Sequence, residues 1–176
     1  MAMRETILAH TRRLTLEHGV VPSLNAVADA AGVSKGGLIH HFPTRAALVD
    51  GLAAQALSQI DVAMAAAAHA GTAASAWLRL SVPAGDDLDL FRAMAVAHRT
   101  LGEPGAGILA AATEAIVRWE RLIAEEVGDP VLGRIIRLVG DGLAMNALVG
   151  TAGSDSTDEL AELEARLLPG SRPGRG

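Results

Sequence analysis

Between Ser34 and Arg45 the chain gathers hydrogen-bond donors and bare backbone in a pattern that suits a polyanion. Lys35, His40, His41 and Arg45 supply donors, Ser34 and Thr44 supply hydroxyls, and Gly36 and Gly37 remove the side chains between them. A basic side chain neutralises a phosphate, and a hydroxyl or main-chain N–H bonds to its oxygens. Two glycines inside a short helix cost about 1 kcal/mol each relative to alanine. They call for a close approach, either by a DNA backbone or base edge, or by a tightly packed neighbouring helix. Other chemistries lack their residues. There is no cysteine, which excludes disulfides, thiolate metal sites and a cysteine nucleophile. His40 and His41 are adjacent and diverge, unlike metal ligands at i and i+4. The stretch from Gly102 to Gly107 has no strand before it and no Gly-Lys-Ser after it, so it reads as a helix break rather than a phosphate loop. Asp86, Asp87 and Asp89 match no calcium loop, and no serine occupies a nucleophile elbow. No enzyme, metal or cofactor is expected.

Helices must position these groups. Met3, Ile7, Thr11 and Leu14 step along one face up to Gly19, a natural helix stop. Ser23 is placed as an N-cap, and Leu24, Val27, Ala28 and Ala31 follow at i, i+3, i+4 and i+7. Gly32 permits a sharp turn, Val33 can tuck between two helices, and Ser34 caps a short helix from Lys35 to about His41. This is a helix-turn-helix, whose second helix enters the major groove of DNA. Ser34 could also offer its hydroxyl to a phosphate, and His41 suits either the groove or a core. Thr44 caps a long fourth helix beginning at Arg45, whose N-terminal amides could hold a phosphate. Further helices are expected over about 72–81, 87–101, 108–127, 131–149 and 158–168. A polar linker over 151–157 and a disordered tail over 169–176 complete the chain. Abundant alanine, with two Phe, two Trp and no Tyr, favours closely packed helices over sheets. The expected fold is all-α, with a DNA-binding domain over 1–48 and a helical dimerisation and ligand domain over 49–168.

A net charge of −5 is unusual for a DNA binder, but it is unevenly placed. Residues 1–50 hold Arg4, Arg12, Arg13, Lys35 and Arg45 against Glu5, Glu17, Asp29 and Asp50, so the acidic excess lies further along. The longest uncharged stretch, Val62 to Leu78, is mostly alanine and is broken by His69, Gly71, Thr72 and Ser75. A spanning helix needs about 20 strongly apolar residues. No membrane segment and no secretory signal are expected, and a cytoplasmic location fits.

The later helices carry wide apolar faces. Ala112, Ala115, Trp119 and Ile123 lie on one, and Ile135, Leu138, Gly142 and Asn146 on another. Such faces need more than one partner, and two helices per chain could meet their two-fold copies as a four-helix bundle. An ordinary monomer core is the alternative, and Trp119 suits either. Polar or bulky residues within these apolar helices, namely Trp77, Arg92, Met94, His98, Arg118 and Asn146, are candidates for a ligand pocket. Each also suits a surface ion pair or a satisfied core group. The scarcity of aromatics argues against a large flat aromatic ligand.

The stretch from Ser23 to Leu48 resembles the N-terminal domain of TetR-type regulators. Ala-Gly-Val-Ser-Lys-Gly over 31–36 and His-Phe-Pro-Thr-Arg-x-x-Leu over 41–48 are its most specific parts, and residues 7–19 are similar to the family's first helix. The resemblance covers roughly residues 4–52. It implies an all-helical homodimer that represses transcription from an inverted-repeat operator on double-stranded DNA and releases it on binding a small molecule. It also implies that Ser23 and Asn25 touch the DNA backbone or groove edge, and that Ser34, Lys35, Gly36, Gly37 and His40 belong to the recognition helix. Arg45 stands where a lysine commonly grips phosphate. Two departures stand out. Ile39 replaces a tyrosine that contacts phosphate, and Thr15 replaces a buried phenylalanine, which implies a repacked core. A regulator without an effector, or a dimerisation module that has lost DNA binding, would share the pattern.

Overall fold

The computed structural model describes residues 2–102, 104–150 and 156–168. Among them are nine helices and no strand. The linker expected over 151–157 falls largely outside the described residues, and the tail over 169–176 lies wholly outside them. Local signals fix the boundaries. Helix α1 (Met3–His18) ends at Gly19, which takes the left-handed φ of 70° that costs glycine nothing. Helix α2 (Leu24–Ala31) starts where Ser23 Oγ accepts the Ala26 N–H at 3.2 Å. Helix α3 (Lys35–His41) starts where Ser34 Oγ accepts the Gly37 N–H at 3.1 Å. Helix α4 (Arg45–His69) starts where Thr44 Oγ1 accepts the Ala47 N–H at 3.0 Å. Such caps each contribute about 0.5–2 kcal/mol. Helices α5 (Ala73–Leu80), α6 (Gly85–Leu101), α7 (Ala106–Val127), α8 (Pro130–Val149) and α9 (Ser156–Leu167) follow. Asp129 caps α8 by accepting two N–H bonds, from Val131 at 2.8 Å and Leu132 at 3.2 Å.

The chain forms two compact units. The first comprises Met1–Leu57 and Ala84–Ala112, so α6 and the start of α7 join the first three helices and the first half of α4. Here α1 packs against α2 and α6, and α2 packs against α3. Ile7, Leu8, Val27, Leu38, Phe42, Leu48 and Leu52 form one core with Leu90, Met94 and Ala97 of α6. Each fully buried large side chain there contributes about 1.5–3 kcal/mol. Thr15 is buried in this unit, and its hydroxyl donates to the Thr11 carbonyl at 2.7 Å, while Thr11 donates to Ile7 at 2.8 Å. Bonding back to the preceding turn satisfies both hydroxyls inside apolar surroundings. A Cβ at Gly51 would lie 2.7 Å from Phe42 Cε1 and 3.0 Å from Leu8 Cδ2, so only glycine lets α4 rest on that ring.

The second unit comprises Ser58–Pro83 and Thr113–Gly176. Helix α5 packs against α8 and against α9. The rings of Trp77 and Trp119 meet at 5.4 Å. The Trp77 Nε1–H donates to the Arg137 carbonyl at 3.1 Å, and the Trp119 Nε1–H donates to Asp61 Oδ1 at 2.7 Å. Buried Arg137 is held by Glu120 at 2.6 Å and by Asp141. Glu164 of α9 accepts from Ser75 at 2.8 Å and Arg79 at 2.9 Å, tying α9 to α5.

Candidate nucleic-acid interface

Helix α3 is anchored by one side chain of its own. Leu38 is fully buried, Phe42 is buried just beyond the helix end, and the rest of α3 is exposed. At 3.6 residues per turn, Gly36 and His40 fall on the side opposite Leu38, with Ile39 and Gly37 on either shoulder. Lys35 and the cap residue Ser34 are exposed at the helix start, and Ser23 and Asn25 are exposed at the start of α2. A Cβ at Gly36 would meet nothing within 4 Å, and one at Gly37 would meet only the cap oxygen of Ser34, at 3.2 Å. No helix among the described residues presses on these glycines. Of the two reasons for a bare backbone here, internal packing is thereby removed, and approach from outside the chain remains.

His41 is exposed rather than a core histidine, and its ring meets that of His40 edge-on at 5.4 Å. It borders a cleft of about 300 Å³ in the first unit together with Arg4, Phe42, Asp50 and Ile108. The Arg4 guanidinium sits 5.2 Å from the Phe42 ring centroid, within range of a cation–π attraction. Thr44 is exposed, and Arg45 is half-buried. The Arg45 Nη2 donates to the Val21 carbonyl, a tie between the start of α4 and the link before α2 that local sequence gives no sign of. Ser23, Ser34 and Thr44 use an oxygen lone pair to cap, so each O–H proton remains able to donate outward.

The six pocket candidates divide between the units. Met94 is buried in the first unit's core, with His98 half-buried and Arg92 exposed on the same helix. In the second unit Trp77 is buried, Asn146 is exposed, and exposed Arg118 donates to Asp61 at 2.6 Å. A cleft of about 450 Å³ in that unit is lined by Asp61, Ala65, Arg118, Trp119, Arg121, Leu122 and Glu125. Of the six it takes in only Arg118. Asp61, which accepts from both Arg118 and Trp119, has no signal in local spacing, because its partners lie 57 and 58 residues along the chain. Arg137 has one local partner, Asp141 at i+4, but its other, Glu120, lies on α7.

The apolar faces also separate. Ala115, Trp119 and Ile123 are buried within their own unit, and Ala112 is half-buried. Ile135, Leu138, Gly142 and Asn146 are exposed. With Val131, Met145 and Val149, which are 67%, 59% and 62% exposed, the apolar members form a continuous stripe along α8 at helical spacing. Among the described residues no cluster of three His, Asp or Glu side chains is arranged for a metal ion, and no helix is long and apolar enough to cross a membrane.

Comparison with known proteins gives this arrangement a context. No curated protein matches the sequence significantly. A TetR-family member from Streptomyces coelicolor A3 superposes with a TM-score of 0.68 at 21% identity, over 96% of this chain and 99% of that one. The multidrug binding protein EbrR, in complex with imidazole, superposes with a TM-score of 0.65 at 21% identity, over 99% of this chain and 98% of that one. At that identity the likeness is one of fold. The model of the tetR family of bacterial regulatory proteins matches residues 7–52, and that of the tetracycline repressor-like C-terminal domain matches residues 71–169. The chain therefore belongs to the TetR family, whose members are regulators rather than enzymes, and it carries both the family's N-terminal DNA-binding domain and its helical C-terminal domain.

Proposed function

We propose that this protein is a sequence-specific transcriptional repressor in the cytoplasm, binding an inverted-repeat operator as a homodimer and leaving it when a small molecule binds. The reading divides the chain into a DNA-reading part over 1–48 and a dimerisation and effector part over 49–168. The observation that carries it is the exposed side of α3, where Gly36 is bare toward open space and Gly37 is met only by the cap oxygen of Ser34, amid Lys35 and His40. That face suits close docking on base edges. Ser23, Asn25, His41, Thr44 and Arg45 supply contacts to the flanking backbone.

The exposed apolar stripe of α8 supports a two-fold pairing of chains, since an unpartnered patch of that kind marks an interaction surface. Pairing would set two α3 helices about 34 Å apart, one turn of DNA. A small organic effector is supported by the fold shared with a multidrug binding protein that holds imidazole. Such a ligand acts only if it binds the DNA-incompetent arrangement more tightly than the competent one.

The test is selection of bound sequences from a random duplex library at near-physiological salt. An enriched inverted repeat with half-sites one turn apart is the expected result. No enrichment from folded, dimeric protein refutes the reading. A thermal-shift screen of metabolites then tests the effector, because a ligand of the folded state raises stability.

A further inference from the structure

Ile39 is the one large apolar side chain that α3 exposes, with 39% of its surface open to solvent. It is not needed for the fold's interior, which α3 reaches through Leu38. It projects from the shoulder beside Gly36, where the backbone meets nothing within 4 Å. The neighbours on that outer face are hydrogen-bonding or bare: Lys35, Gly36, Gly37 and His40. A β-branched aliphatic side chain can make no hydrogen bond to a phosphate or a base edge. The major groove offers it one apolar group, the 5-methyl of thymine.

We propose that Ile39 is a specificity-determining residue that packs on the 5-methyl group of one thymine in each half-site of the operator. This rests on the DNA-binding reading above and adds the base that is read. The glycines on the outer face let the helix backbone sink toward the base edges, and this brings a short branched side chain into van der Waals reach of the groove floor. The contact selects thymine by shape and desolvation, while Lys35 and His40 supply polar contacts beside it.

The test uses the full-length protein and synthetic duplexes carrying the selected operator. Each thymine is replaced in turn by deoxyuridine, which removes only the methyl group. At one position per half-site, uracil is expected to weaken wild-type binding about fourfold, the value of one buried methyl. The same replacement should change Ile39→Ala binding far less, because the lone Cβ methyl of alanine is too short to keep the contact that the longer branched side chain makes. Ile39→Val, which keeps the branched carbon, should retain the discrimination. Ile39 is exposed, so both variants keep the core intact, and circular dichroism checks it. If operator binding is normal but no thymine shows the difference, or Ile39→Ala discriminates as well as wild type, the inference is overturned while the DNA-binding reading stands. If folded protein selects no sequence at all, both fall.

Discussion

Alanine at Gly140 should destabilise the second unit, although alanine is the better helix former. Gly140 lies inside α8, where the exchange by itself gains about 1 kcal/mol. The added Cβ would stand 2.2 Å from Trp77 Nε1, 2.6 Å from Ser81 Oγ and 2.8 Å from Trp77 Cδ1. The indole has no easy retreat. Its N–H donates to the Arg137 carbonyl at 3.1 Å, and its ring lies against Trp119 at 5.4 Å. Ser81 is likewise pinned, its hydroxyl donating to the Trp77 carbonyl at 2.8 Å. Overpacking costs about 1–3 kcal/mol, and stranding the buried N–H costs about 1–3 kcal/mol more. After the helix gain, a net loss of about 3 kcal/mol is expected. Both tryptophans lie in this unit, so urea unfolding followed by tryptophan emission reads the loss directly. Combining Gly140→Ala with Trp77→Leu, which vacates the space, should cost less than the two single changes added together. Unchanged or raised stability in the single variant, or strict additivity in the pair, would refute the packing argument.

Gly36→Leu should leave the fold as stable as wild type, since its side chain enters open space, while abolishing operator binding in a gel-shift assay. A folded variant that still binds means α3 docks by another face. Leu138→Glu puts a charge in the middle of the exposed α8 stripe and should yield a helical monomer by sedimentation. A persistent dimer would move the interface elsewhere. Arg45→Ala should weaken binding to every sequence and lower the slope of log K against log salt by about one unit. An unchanged slope would confine Arg45 to its hydrogen bond with the Val21 carbonyl.

Short-range signals carried the helical skeleton. Ser23, Ser34 and Thr44 cap the helices that their types and positions predict, because capping is decided within three or four residues. The later helices begin within about two residues of expectation, the scatter usual at frayed ends. Residues far apart in sequence were hidden. Nothing in the spacing of Leu90, Met94 and Ala97 says that they complete the core under α1 and α3. An apolar stripe announces that a face is covered without naming what covers it. For that reason Trp119 and Ile135 looked alike in sequence, yet one is buried in its own unit and the other is exposed. The bare glycines of α3 were visible from the start. Only the structure shows that no neighbouring helix packs on them.

The capping hydroxyls carry two demands that select different alphabets. A helix start accepts serine, threonine, aspartate or asparagine almost equally. A neighbour of phosphate rejects aspartate, which caps well but repels. In the proposed reading, Ser34→Asp would be silent to folding and costly to DNA binding. A lineage could lose its operator by exchanging this one residue and keep a fully stable protein, free to be retained for whatever its other surfaces do.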